Sequence, residues 1–181
     1  MKNRSGDRFR GIALGLAGII LQVLLLAGCG YHFAGGGASA YPAIRSVFVE
    51  AFTNRTSEAN ADTIFRNSFN SQIVQRGHFR LAASREEADA ILKGTIANLQ
   101  SAPLSYRSTN LSAEDRLTVT LELSFEETRD GRVLWSNSAI SLTGDYAVTS
   151  VGVTETSRRN ALSKLADDTA EKAYRLMMSN F

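Results

Sequence analysis

The chain has one cysteine, Cys29, and two histidines, His32 and His78, so nucleophilic or metal chemistry has few places to sit. His32 lies in a glycine-rich stretch and His78 beside a predicted helix end, and neither falls in a metal-ligand spacing. The carboxylates of Glu126-Glu127 and of Asp167-Asp168 are neighbours in sequence, so their side chains diverge rather than share a substrate. Gly35-Gly36-Gly37 lacks the Lys-Ser/Thr that completes a phosphate-cradling loop, and it follows no strand. No Gly-x-Ser-x-Gly elbow is present. The aromatics are scattered rather than interleaved with a basic stripe, which argues against nucleic acid as a partner. The expectation is a protein that is not an enzyme and uses no cofactor.

What remains is Cys29 itself. Leu26-Ala27-Gly28-Cys29 closes an apolar run from Gly11 to Gly28, broken only by Gln22, behind a head carrying Lys2, Arg4, Arg8 and Arg10 against Asp7. A basic head, an apolar middle and a small-residue exit describe a secretory signal peptide. The tetrapeptide resembles the lipobox of bacterial lipoproteins, in which the thiol is acylated, the chain is cut before the cysteine, and the new amino terminus is acylated too. That resemblance implies three segments: 1–28 removed, 29–42 a lipidated flexible tether, and 43–181 a single folded domain. The run also matches the roughly 17–25 residues needed to span a bilayer, so a signal anchor is the alternative. One acyl chain binds a membrane only marginally, with a constant of order 10⁴ M⁻¹, whereas an S-diacylglycerol plus an N-acyl chain on Cys29 holds firmly. Where Asp follows the cysteine, many Gram-negative bacteria retain the lipoprotein in the inner membrane. Gly30 stands there instead, which implies anchoring in the inner leaflet of the outer membrane, facing the periplasm.

Cleavage changes the charge. The signal takes four of the 20 basic residues and one of the 18 acidic ones, so the net charge passes from +2 to −1 over the remaining 153 residues. Basicity therefore belongs to the signal, and no whole-molecule field draws this domain to a polyanion. With Cys29 lipidated no thiol is left for a disulfide, so stability must come from a packed core, which a chain of this size can supply.

Ser46 to Phe52 is β-rich and apolar on both faces apart from Glu50, as an interior strand would be. Thr53 to Ser57 offers turn chemistry and N-cap candidates for a helix over 58–76. In that helix Ala61, Ile64, Phe65, Phe69 and Ile73 form an apolar stripe, with Asp62, Arg66, Asn70 and Gln72 off it and Gly77 as C-cap. A short strand over 79–82 would return beside the first in a βαβ crossover. Three runs then resemble a meander: 90–99, 116–127 and 132–146. Leu117, Val119, Leu121, Leu123 and Phe125 alternate with Thr118, Thr120, Glu122, Ser124 and Glu126, so one face is covered and the other is wet or faces a partner. Asp130-Gly131 signals a hairpin. Val133 and Trp135 share one parity while Ile140 and Leu142 share the other, which predicts a bulge near Asn137 or Ser138. A polar connector over 149–155 leads to a helix capped by Thr156 and running to Ser179. Leu162, Leu165, Ala166, Thr169, Ala173, Leu176 and Met177 are predicted inward; Arg158, Arg159, Lys164, Asp167, Asp168, Glu171 and Lys172 are predicted solvated. The order is that of an α+β two-layer sandwich: a mostly antiparallel four- to five-stranded sheet with two amphipathic helices on one face.

Cys29-Gly30-Tyr31-His32-Phe33 resembles the opening of the mature LPS-assembly lipoproteins (LptE), which commonly begin Cys-Gly-aromatic-His-apolar, and the layout of elements agrees over the whole of 29–181. The resemblance implies a non-enzymatic outer-membrane lipoprotein that sits in the lumen of the β-barrel LptD, supports its assembly and binds lipopolysaccharide on its way to the surface. It further implies a basic residue in the loop between the first two meander strands, where Tyr106-Arg107 stands here. The family's other basic position lies in the connector before the last helix. This chain has no Lys or Arg there until Arg158 and Arg159. The alternative from another class is a lipid-anchored scaffold or pilot lipoprotein for a different envelope complex, without a lipid ligand.

Overall fold

The computed structural model describes residues 40–106, 112–149 and 151–179. In chain order the elements are β1 (Ser46–Val49), β2 (Thr53–Asn54), α1 (Ala61–Arg76), β3 (Arg80–Leu81), β4 (Ala90–Tyr106), β5 (Ser112–Glu127), β6 (Val133–Ala147) and α2 (Val151–Met178). They form one six-stranded sheet in the order β3-β1-β4-β5-β6, with β2 also paired to β4. The predicted α+β sandwich is present, but the sheet is mixed. β4, β5 and β6 are antiparallel, whereas β1 pairs parallel with both β3 and β4, and β2 pairs parallel with β4. The parallel half follows from the crossover: α1 carries the chain back so that β3 runs beside β1 in the same direction.

The alternation in β5 holds. Leu117, Val119, Leu121, Leu123 and Phe125 are all buried, and they join the buried stripes of both helices in a single core cluster. The predicted bulge is also present. Leu121 pairs with Ile140 while Leu123 pairs with Asn137, so β6 carries an extra residue there. That insertion restores parity and turns both Trp135 and Ile140 into the core. Val133, grouped with Trp135 by parity alone, is 55% exposed, because the register shifts again between Phe125 and Glu126.

Other boundaries differ from the sequence reading. β1 stops at Val49, and Thr53–Asn54 is a short strand rather than part of a turn. α1 begins at Ala61 after Asn60, which sits at φ 60° with no side-chain cap. Asn54 and Thr56 instead stabilise the loop before it: Asn54 Oδ1 accepts from the Thr56 amide, and Asn54 Nδ2 donates to the Glu58 carbonyl at 2.8 Å. Gly77 is the C-cap, at φ 66°, its amide donating to the Ile73 carbonyl. Gln72, read as lying off the apolar stripe, and Asp167, read as solvated, lie where the helices meet. Gln72 is buried, and Ser68 Oγ donates to Asp167 Oδ1 at 2.6 Å. Leu176 is 37% exposed rather than inward, because the last turn of α2 packs through Tyr174 on Phe79 and holds Tyr41 through the Met177 carbonyl. Thr169 is fully buried, and its hydroxyl is satisfied by the Leu165 carbonyl one turn back. α2 also starts at Val151, five residues before Thr156. Val151, Gly152 and Val153 are weak helix formers, and extending an established helix overrides that weak preference.

Asp89 pins the start of the sheet. Its Oδ2 accepts from the Arg45 and Ser46 amides, both at 2.9 Å, and from Ser46 Oγ at 3.0 Å, while its own amide donates back to the Ser46 carbonyl. These bonds, the one from Arg45 first, hold the carboxyl below its ordinary range. A lowered folded pKa stabilises above the unfolded value of about 3.9, and the contribution disappears as pH falls through the folded pKa. Asp89→Ala is expected to cost about 1 kcal/mol at pH 7 in urea unfolding, solvent screening at this exposed carboxylate keeping the loss small, with the difference from the parent shrinking as the pH falls below about 4.

Candidate functional site

Arg158 and Arg159, two of the cations singled out in the sequence, lie toward the end of the sheet where the last helix begins. Tyr106 pairs with Ser112 at the tip of the β4–β5 hairpin, and two residues further along β5 Glu114 pairs with Ala147, the last residue of β6. α2 starts four residues later, so its first turns, with Arg158 and Arg159, share this end with the hairpin tip. Tyr106 was expected in a loop but its backbone belongs to β4. The strand runs past Pro103 because the register slips between Pro103 and Ser105. Arg107 and Cys29 lie outside the described residues.

Arg158 and Arg159 differ in what they can offer. Both terminal nitrogens of Arg158 engage Glu58, one to each carboxylate oxygen, and both side chains are partly buried, at 25% and 20% exposure. Its fork is therefore occupied by the loop before α1. Arg159 is 71% exposed, with Glu155 at 3.8 Å one turn back, a weak surface pair that leaves its donors to solvent. Sequence reasoning passed over Arg116, which forms a two-bond fork with Asp145 at 2.7 and 2.9 Å near the same end. Beneath it the Tyr146 hydroxyl bridges Ser101 and Asp115.

The outer face of the sheet, away from the helices, carries the second candidate surface. Lys93 Nζ meets Glu126 at 2.5 Å, and that hydrogen bond holds the Glu126 carboxyl below its ordinary range. Ser124 Oγ donates to the same carboxylate. Arg55 faces Glu122 at 3.4 Å and Arg85 faces Glu50 at 3.7 Å. Between these pairs lies a groove of about 700 Å³. Its floor is the middle of β4 and β5, one wall is the segment from Glu50 to Thr53, and the other is the β6 bulge at Ser136, Asn137 and Ser138. The alternating pattern predicted a polar face. A groove needed the bulge on one side and the β1–β2 segment on the other, and only the Ser-Asn-Ser run hinted at it. Among the described residues no group of three or more His, Cys, Asp or Glu side chains could hold a metal ion, and no helix is long and apolar enough to cross a membrane.

A family model described as "LptE: Lipopolysaccharide-assembly" matches residues 44–177. No curated protein sequence matches the chain. Among solved structures, the chain is similar to lipoprotein B from Nitrosomonas europaea, at TM-score 0.51 and 14% identity, covering 75% of this chain and 83% of that one. It is also similar to the rare lipoprotein B of Shewanella oneidensis, at TM-score 0.50 and 12% identity, covering 75% and 95%. At such identities these likenesses speak for the fold alone.

Proposed function

This chain belongs to the LptE family of lipopolysaccharide-assembly proteins, and from that premise we propose that it is an outer-membrane lipoprotein working in lipopolysaccharide assembly without catalysing a reaction. It is held by acyl chains on Cys29, seats in the lumen of the LptD barrel, supports that barrel's assembly, and contacts lipopolysaccharide in transit. The observation that carries this reading is the family match over 44–177, which spans both helices and every strand described. The two-sided sheet supports it as well, since an outer face of Thr, Ser, Lys and Glu suits the polar interior of a large barrel. Lipid anchoring raises the local concentration of the domain at its partner's membrane. Arg107 and Arg159 supply fork-shaped donors matched to phosphate oxygens, with Tyr106 beside the first; Arg158 can join them only by releasing Glu58.

The test is affinity purification of the tagged full chain from detergent-extracted outer membranes. The expected result is a large β-barrel in the eluate and an acylated cysteine as the first residue by mass spectrometry. Recovery of the chain alone, or with a secretin-type ring, would overturn the barrel assignment. Arg107→Ala is expected to weaken lipopolysaccharide binding several-fold at an unchanged melting temperature, and unchanged binding would remove Arg107 from the site.

A further inference from the structure

The groove on the outer sheet face has a chemistry of its own. Its volume of about 700 Å³ falls within the range of small-molecule clefts, about 300–1,000 Å³. Five of its twelve lining residues carry hydroxyls: Thr53, Thr95, Ser124, Ser136 and Ser138. Each hydroxyl can donate and accept, as a polyhydroxyl ligand requires, except that Ser124, whose proton goes to Glu126, is left to accept. The one lining cation, Lys93, is already held by Glu126 at 2.5 Å, and the nearby Arg55 and Arg85 face the lining carboxylates Glu122 and Glu50, so a phosphate would compete with a carboxylate for each of these cations. An acyl chain is disfavoured too, because burying these polar groups against methylenes would leave them unsatisfied. Nor does the floor invite an added peptide strand, since it is the face of a sheet whose backbone groups β4 and β5 already pair.

From these features we infer that the groove binds an uncharged stretch of glycan, a few sugar rings long. This rests on the lipopolysaccharide-assembly reading above and deepens it: the sugar portion of the cargo lies on the outer sheet face, apart from the arginines at the hairpin end.

The probe is the lipid-free oligosaccharide released from lipopolysaccharide by mild acid, with its phosphates removed. It is titrated onto the full chain in detergent and followed by calorimetry and amide NMR shifts. Binding is expected to shift Thr53, Thr95, Ser124 and Ser136 selectively. Ser136→Trp and Thr53→Trp, exposed positions on opposite walls, should each weaken it at least tenfold without lowering the melting temperature. If intact lipopolysaccharide binds but the oligosaccharide does not, the inference fails while the lipopolysaccharide reading stands. If Ser136→Trp abolishes recovery of the barrel and no oligosaccharide binds, the groove is a seat for the barrel wall and the inference fails in that way. If neither lipopolysaccharide nor barrel is bound by the parent chain, the inference falls with the reading beneath it.

Discussion

Gly94→Ala is expected to destabilise the domain by about 3 kcal/mol, at the upper end of ordinary overpacking, and Gly94→Val to leave little folded protein at 37 °C. A Cβ at Gly94 would lie 2.5 Å from both Cδ1 and Cζ of Phe52, and closer still to Cε1. No real contact is that short, so the ring or the strand has to move. The ring has nowhere cheap to go. Phe52 is 5% exposed and packs at 5.2 Å on Phe69 of α1, which is itself buried. The strand cannot yield either, because Thr95 next to Gly94 pairs with Thr53 of β2 on one side and Glu122 of β5 on the other. Here the glycine is required by space rather than by backbone angle. The measurement is thermal or urea unfolding followed by circular dichroism. A loss under 1 kcal/mol would mean that Phe52 does not lie across β4 as described. Phe52→Leu in the Gly94→Ala background should recover part of the loss, since the smaller side chain frees the space that the methyl enters.

Glu58→Ala is expected to cost about 2 kcal/mol, and Arg158→Ala less. The pair is two-pronged and less exposed than the Arg116–Asp145 fork, so removing the carboxylate leaves a partly desolvated guanidinium without its partner. Arg158→Ala leaves a carboxylate on a loop that Asn54 and Thr56 still hold. A double-mutant cycle should give a coupling energy of about 1–2 kcal/mol, well above a surface pair such as Arg159 with Glu155. The two variants also separate roles. If Arg158 serves chiefly to tie α2 to the loop before α1, Arg158→Ala lowers stability with little change in lipopolysaccharide binding. If it contributes to binding, Glu58→Ala frees its fork and tightens binding even as the protein becomes less stable.

Much of the fold could be read from periodicity. The strict alternation from Leu117 to Phe125 named the buried face of β5, and Gly77 marked the end of α1. The parity break between Trp135 and Ile140 located the bulge to within a residue. These features were legible because each is set by neighbours two to five residues away. Gln72 was not, since its burial depends on α2, almost a hundred residues later in the chain. Arg158 was misjudged as solvated for the same reason: its partner, Glu58, is a hundred residues away. The outer groove needed four segments to converge, and no single window of sequence contains them.

By itself, then, the sequence determined the anchor expectation at Cys29, the α+β order of elements, the covered face of the sheet and the resemblance at Cys29 to Phe33, because local spacing and residue type suffice for each. Tertiary structure alone decided the parallel pairing of β1 and β2 with β4, the engagement of Arg158 by Glu58, the crowding of Phe52 over Gly94 and the groove on the polar face. Each of these is a contact between groups distant in sequence. Such contacts depend on which surfaces meet when the chain closes on its core, and local pattern does not encode that.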